Sequence, residues 1–515
     1  MADYAKILRS LAKEAHVNIP NDAFRTSRRS KFATEGTNRC PTCNKARTSI
    51  GWCKPCDTKA LEEQFGTWTS GNEELDKFIQ ETQSSANTPL DFMRWIEFDL
   101  FSDVEFVAKG GFGSVFSANS QALGKVALKF LDNSETLAKE FLDELRAHHR
   151  CSLGSGIIDC YGVSKDPTTD RYVMVMRYAD HGNLRMYLGQ YFGDLTWEQK
   201  ISLFEKVAKG LQEIHDAGLV HRDFHCGNIL RHEKLVYVTD LGMCRPVNES
   251  ADADIYGVLP YVAPEVLRGE PYTMKADIYS LGMIMWELSS NQPPFANRAH
   301  DYTLALDVCN GLRPPIIDGT PKGYMAAMLR CWDAKPSRRP QASELLVASY
   351  KWRFLPDGTA PFQGPKRRNA KSIPVKSPTT PTNAHPQAFY TSRLLHFPKL
   401  PEPRNSDTFM FFDPATGETS IMLRKQSSKG DAASTASKPS EGQRSSQTGK
   451  GKNRQIDQRT PARSRDISRS MSMGKVDREI LERLRRERRR SSGEKVSSLH
   501  EELPKRFEDL NLSNH

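Results

Sequence analysis

No stretch of the 515-residue chain approaches the roughly 20 consecutive apolar residues that a transmembrane helix needs. The amino-terminal run MADYAKILRSLAKEAHVNIP interrupts its apolar residues with Lys6, Arg9 and Lys13, so it lacks the unbroken core of a secretory signal. Ala2 stands where myristoylation needs glycine, and Leu512-Ser-Asn-His515 offers no cysteine for prenylation. Cysteine is sparse, 10 in the whole chain, which excludes a disulfide framework. Those between Cys151 and Cys331 are scattered and are expected as thiols in a reducing compartment. Apolar residues are also few, 38%, with a mean hydropathy of −0.60, which points to an ordered domain diluted by a long polar segment. There is no internal repeat. Together these absences point to a soluble intracellular protein without a membrane span, expected in the cytoplasm with the nucleus as a further location.

The charge that is present is unevenly placed. The chain carries +10, yet roughly +13 falls after Arg353, so everything before it is mildly acidic. Composition divides the chain into five stretches. Residues 1–39 read as a flexible lead-in with a short amphipathic helix around Ile7, Leu8 and Leu11. Residues 40–56 hold a cysteine cluster. Residues 57–100 are a connector in which Leu75, Phe78 and Ile79 have helical spacing and are expected to dock on a neighbour. Residues 101–354 change period partway: β-type runs at Val104–Val107, Val126–Phe130 and Tyr172–Tyr178 give way to a helical pattern over Ile201–Ala217. That order predicts a small sheet lobe followed by a helical lobe. Residues 355–515 are rich in Pro, Ser, Thr, Gln, Lys and Arg, with too little apolar surface to offset ordering entropy, and read as a disordered basic tail. Arg393–Leu400 and Asp477–Arg490 stand apart as short islands in it.

Within residues 101–354, Lys109-Gly-Gly-Phe-Gly-Ser-Val115 lies between two β-type runs, where Gly110, Gly111, Phe112 and Gly113 form a turn whose amides can approach a polyphosphate. A plain hairpin turn is the competing reading of that segment alone. Lys129 follows in the apolar strand Val126-Ala-Leu-Lys129, where a buried ammonium needs an anionic partner. Then come His221-Arg-Asp-Phe-His-Cys-Gly-Asn228, Asp240-Leu-Gly242, Ala263-Pro-Glu265, Asp277-Ile-Tyr-Ser-Leu-Gly282 and Arg330-Cys-Trp-Asp-Ala-Lys-Pro-Ser-Arg-Arg-Pro340. In this order and spacing the series resembles the eukaryotic protein kinases.

The resemblance implies an α+β bilobal fold that transfers the γ-phosphate of ATP to hydroxyls of protein substrates, with Mg²⁺. It implies that Lys129 pairs with the α and β phosphates and is oriented by a helix glutamate. Glu144 is the choice on its apolar flanks Phe141, Leu142 and Leu145, with Asp143 and Glu140 as alternatives. Asp240 and Asn228 would each hold Mg²⁺, and Asp223 would accept the substrate proton. Adenine would lie against Val115, Ala127, the hinge after Met176, and Leu230. Glu265 is expected to pair with Arg339, and Asp277 to fix the catalytic loop. The rival reading is a pseudokinase scaffold that binds nucleotide and partners without turnover.

Cys160-Tyr-Gly162 and Arg330-Cys-Trp332 look more like tyrosine kinases and tyrosine-kinase-like serine/threonine kinases than like the basophilic or proline-directed groups, so serine and threonine are the expected acceptors with tyrosine as the alternative. With the upstream cysteines and Trp68-Thr-Ser-Gly-Asn72, the pattern from about 40 to 350 is similar to the kinases multiplied in mycorrhizal fungi. Departures limit the carry-over. Ala108 replaces the first loop glycine, and Arg177 an acidic hinge residue. His225 replaces a lysine that touches the transferred phosphate, and Val258 the threonine that ties base to lysine. Protonated His225 would restore part of that charge, the alternative being a bystander. Phosphate on Ser250 or Tyr256 would pair with Arg222, and Glu249, Asp252 and Asp254 would partly substitute for it.

Cys40-Pro-Thr-Cys43 and Cys53-Lys-Pro-Cys56 have the spacing of four thiolates around one structural Zn²⁺, the alternatives being redox-active or free thiols. Such a closed site suits docking of a partner. Arg39, Lys45, Arg47 and Lys54 beside it read as a solvated basic face more than as a nucleic-acid contact. In the tail, Ser377 and Thr380 precede proline, while Ser468, Ser491 and Ser492 follow arginines, as substrates of other kinases do. Arg483–Arg490 suits an acidic partner, anionic lipid or a nuclear-import receptor, beside the plainer reading of a solvated charge run.

Overall fold

A computed structural model describes residues 39–49, 52–111, 113–131, 139–152, 154–247, 255–354 and 384–423. The expected helix near Ile7, the loop residue Phe112, the activation-segment residues Glu249, Ser250, Asp252 and Asp254, the modification sites at 377, 380, 468, 491 and 492, and the island 477–490 lie outside these residues.

Five strands form an antiparallel sheet: β1 (Phe101–Lys109), β2 (Gly113–Ser120), β3 (Gly124–Leu131), β4 (Cys160–Asp166) and β5 (Arg171–Arg177), in the order β1-β2-β3-β5-β4. β5 is apolar on both faces because both are covered. Val173 and Val175 meet Phe116, Leu128 and Phe130, while Tyr172, Met174 and Met176 meet Phe141, Leu142 and Leu145 of a helix, Lys139–Cys151. Burying an entire strand this way contributes about 1.5–3 kcal/mol per large side chain.

Among the described residues two helices precede the sheet, α1 (Lys54–Glu62) and α2 (Glu73–Ser85), so the helix behind β5 is α3. Asn72 caps α2 by accepting from the amides of Glu74 and Leu75. The apolar stripe of α2, Leu75, Phe78 and Ile79, packs in the same cluster as Phe141, Leu142 and Leu145, as its spacing foretold. Trp52 stacks on Phe92 at 5.6 Å and joins the cysteine region to the connector.

The second lobe is helical: α4 (Leu184–Tyr191), α5 (Trp197–Asp216), α6 (Pro264–Leu267), α7 (Met274–Ser290), α8 (Tyr302–Cys309), α9 (Lys322–Cys331) and α10 (Ala342–Phe354). Thr196 and Gln199 cap α5 reciprocally, and Ile201, Phe204, Val207, Leu211 and Ile214 bury one face at helical spacing. Short strands carry the loops between lobes: β6 (Leu219–Val220) with β9 (Arg245–Pro246), and β7 (Ile229–His232) with β8 (Leu235–Val238).

The reading of residues 355–515 as disordered is corrected at 384–423. There β12 (Arg393–Leu395) pairs antiparallel with β10 (Ile255–Gly257). β13 (Thr408–Phe412) adds in parallel to β11 (Ile316–Ile317) and forms a hairpin with β14 (Thr419–Leu423). Composition misses this because the order comes from backbone hydrogen bonds to a preformed domain. Only Leu395 and Leu400 become fully buried.

Candidate active site

Lys129 sits at the centre of β3, paired with Val115 of β2 and Met174 of β5. Its Nζ donates to Glu144 Oε1 at 2.5 Å and Asp240 Oδ1 at 2.7 Å. Burial favours loss of its proton, but the carboxylates of Asp240 and Glu144 hold the ammonium above its usual pKa. Among the candidates on α3, Glu144 faces the lysine, whereas Asp143 faces Arg146 at 3.4 Å and Arg245 at 3.9 Å. A Cβ on Gly242 would lie 3.0 Å from Glu144 Oε2, so glycine after Asp240-Leu leaves room for the pair.

Asp240 adopts φ 63°, a left-handed conformation uncommon for a residue with a side chain. Arg222 does the same at φ 70°. The loop between them is held by Asp277, whose carboxylate accepts from the amides of His221 (2.8 Å) and Arg222 (3.0 Å) and meets His215 Nε2 at 2.9 Å. Arg339 forks onto Glu265 at 2.6 and 2.7 Å. Both scaffold pairings expected from the sequence are therefore present.

Asp223 is buried, and burial alone would raise its pKa. His225, the Ser392 hydroxyl and His221 outweigh that and bring it down to about 2, so it is a carboxylate at neutral pH. Its Oδ2 accepts from Asn228 Nδ2 at 3.2 Å and from Ser392 Oγ at 2.5 Å. Its Oδ1 is buried without a hydrogen-bond partner among the described residues. Asn228 spends its amide nitrogen on the Asp223 carbonyl and Oδ2, which leaves its carbonyl oxygen as an acceptor.

His225 lies in the same loop. Its Nδ1 accepts from the Gly227 amide at 3.0 Å, and its Nε2 is 3.5 Å from both Asp223 Oδ2 and Ser392 Oγ. Val258 is buried. Across the cleft, Ala127 pairs with Met176, and Ala127 and Leu230 are half-buried against the same apolar cluster. Gly110 and Gly113 close the glycine turn through a 2.8 Å backbone hydrogen bond. The described members of the sets proposed for adenine, phosphate, metal and proton transfer, Phe112 apart, thus lie around one cleft.

The residues fit MgATP. A paired lysine, two oxygen donors at Asp240 and Asn228, and an orphaned carboxylate oxygen on Asp223 suit a polyphosphate with hard cations. Sequence reasoning missed Ser392, which lies one residue before the Arg393–Leu400 island and has no motif of its own.

The cysteine cluster is a second candidate centre. All four sulfur atoms of Cys40, Cys43, Cys53 and Cys56 lie within 4.8 Å of one another, with Cys40–Cys56 at 3.8 Å and Cys43–Cys53 at 3.5 Å. Tetrahedral Zn–S bonds of about 2.3 Å place sulfurs roughly 3.8 Å apart, so the group fits one Zn²⁺. The Cys43 amide draws the Cys40 thiol down to about 6 against the effect of burial. The Cys43 sulfur, then burial, push Cys56 up to about 12. The second pair is set by α1: Cys53 is its N-cap, and Pro55 and Cys56 lie in its first turn.

Residues 102–348 match the family model described as protein tyrosine and serine/threonine kinase. The chain is 30% identical over 270 residues to mitogen-activated protein kinase kinase kinase 7 of Homo sapiens, covering 51% of this chain and 43% of that one. It is 29% identical over 272 residues to a protein named as a serine/threonine-protein kinase/receptor in Acanthamoeba polyphaga mimivirus, covering 51% and 16% respectively. The chain therefore spans less than half the length of either relative. No helix among the described residues is long and apolar enough to cross a membrane. The cleft, its loop geometry and these likenesses lead to one conclusion: residues 102–348 are a protein kinase domain.

Proposed function

We propose that the chain is an active serine/threonine protein kinase of intracellular signalling, in the tyrosine-kinase-like group and similar to its expansion in mycorrhizal fungi. The observation that carries the activity is the joined set Lys129–Glu144–Asp240 beside an ionised Asp223. MgATP supplies the transferable phosphoryl group and the cations that neutralise its charge. Lys129, held by Glu144, aligns the α and β phosphates, while Asp240 and Asn228 hold the metal. Asp223 orients the acceptor hydroxyl and takes its proton. His225 stands within reach of the same hydroxyl position through Nε2; to carry the charge that a lysine contributes elsewhere in the family, its Nδ1 would have to take a proton and give up the hydrogen bond it accepts from the Gly227 amide. A kcat–pH profile unchanged in His225→Lys would remove that role.

The completeness of the set speaks against a pseudokinase scaffold. Radiolabelled ATP and a general protein substrate test the assignment by the labelled amino acid. Label on serine and threonine supports it, label on tyrosine alone moves the specificity, and retained nucleotide binding without label means a scaffold. The four clustered cysteines are proposed to bind one structural Zn²⁺, in a module that docks a protein partner from the cytoplasm or nucleus. Release of one metal equivalent on thiol modification checks the zinc. Nucleic acid is not the proposed partner.

A further inference from the structure

The segment 384–423 crosses the front of the helical lobe and brings Ser392 into the catalytic cleft. Three independent contacts fix the serine. Its Oγ lies 2.5 Å from Asp223 Oδ2. The next residue, Arg393, pairs with Gly257 in the β10–β12 ladder, and its Nη2 donates to the His300 carbonyl at 2.5 Å. On the other side its backbone meets the glycine turn so closely that a Cβ on Gly111 would lie 2.9 Å from the Ser392 carbonyl oxygen. A serine hydroxyl between the glycine turn and the catalytic carboxylate is where a protein substrate presents its acceptor.

Flanking residues hold the register on both sides. Tyr390 donates to the Pro294 carbonyl at 3.0 Å and lies 4.9 Å from the His300 ring and under the Arg185 guanidinium at 4.8 Å. Leu395 pairs with Ile255 and is buried. A one-residue slip would turn Leu395 out of the core and Ser392 away from Asp223.

We propose that Ser392 is an intramolecular phosphoacceptor of this kinase. The inference rests on the catalytic reading above. Ser392 Oγ forms a bond to the γ-phosphorus of ATP, and the bond from that phosphorus to the β–γ bridging oxygen breaks. ADP leaves with the electron pair, and the hydroxyl proton passes to Asp223. The product is phosphoserine and ADP. The new phosphate carries about −1.5 to −2 charge beside a carboxylate, so repulsion expels the segment and frees the groove for other proteins. Until then the segment competes with them.

The experiment uses the full chain, Mg²⁺ and ATP. Phosphosite mapping is expected to find phosphate on Ser392, at a fractional rate unchanged across a hundredfold dilution because donor and acceptor share one chain. Phosphorylation of an added protein should begin with a lag that preincubation with ATP removes. Leu395→Asp should abolish the lag, whereas Ser392→Ala should stay slow. In the nucleotide-free chain, those amides of 393–395 that face β10 in the ladder should exchange hydrogen slowly in the wild type and at least tenfold faster in Leu395→Asp. Label on the added protein with none on Ser392, a rate that falls with dilution, or fast exchange at those amides in the wild type would each overturn the proposal. No label on any protein, with slow exchange at those amides intact, would instead count against the catalytic reading and with it the proposed transfer.

Discussion

Among the described residues, two segments outside 101–354 pack on the kinase domain, and they are built differently. The connector, through α2, buries Leu75 and Ile79 completely against the back of α3, the helix that carries Glu144. The front segment fully buries only Leu395 and Leu400 and is otherwise held by backbone pairing, by Tyr390, Phe397, Phe409 and Phe411 half-buried on the core of the helical lobe, by an exposed Glu402–Arg268 ion pair and by the Ser392 and Arg393 side chains. Apolar burial at helical spacing makes a permanent brace, whereas few buried contacts and solvent-facing hydrogen bonds make a part that opens locally. The brace positions chemistry, and the front segment occupies its outlet.

The largest effect should come from weakening the brace. Leu75→Ala is expected to cost about 2–5 kcal/mol in denaturant unfolding, because it leaves a cavity between α2 and α3. A midpoint shift confined to a minor first transition would break the comparison by making the connector detachable. Glu144→Gln keeps the shape but frees Lys129 from its anchor. Turnover should fall on the order of 10²-fold through misplacement of the phosphates, with little change in unfolding; an unchanged kcat would remove the link from brace to chemistry.

A pH series tests the same helix. His148 on α3 is buried 3.9 Å from Glu144, and burial, then the charge of Lys129, depress its pKa to about 3. Its folded pKa lies below the unfolded value of about 6.5, so the unfolded chain binds more protons as pH falls from about 6.5 towards 3. Stability contributed by neutral His148 is present above that window and lost through it. Between about pH 7 and 5.5 the loss should be about 1 kcal/mol, read from urea midpoints and absent in His148→Leu. The smallest effect is expected from Leu395→Ala, below about 1 kcal/mol in global unfolding because the front segment opens before the domain does. A cost as large as that of Leu75→Ala would erase the distinction between the two segments.

The contrast also explains what the sequence revealed. The brace was legible because Leu75, Phe78 and Ile79 repeat at helical spacing, and the catalytic residues because phosphoryl transfer needs certain side chains in a fixed order. The front segment was legible only in part. Arg393–Leu400 stood out as an island, but Ser392 lacks a signal: a serine in a polar segment gains meaning only from the carboxylate opposite it. The hairpin at Thr408–Leu423 depends on a parallel pairing with Ile316–Ile317, a contact between distant residues that local pattern does not encode. His225 shows the converse, since its departure from the family pattern was visible but its amide partner, Gly227, was not.

The most direct test of the whole account is the rate at which the intact chain, preincubated with MgATP, transfers radiolabelled phosphate to an added protein, compared with Asp223→Asn. Loss of the buried carboxylate that receives the proton should lower the rate by roughly 10²–10⁴-fold. Equal rates in the two chains would contradict the account.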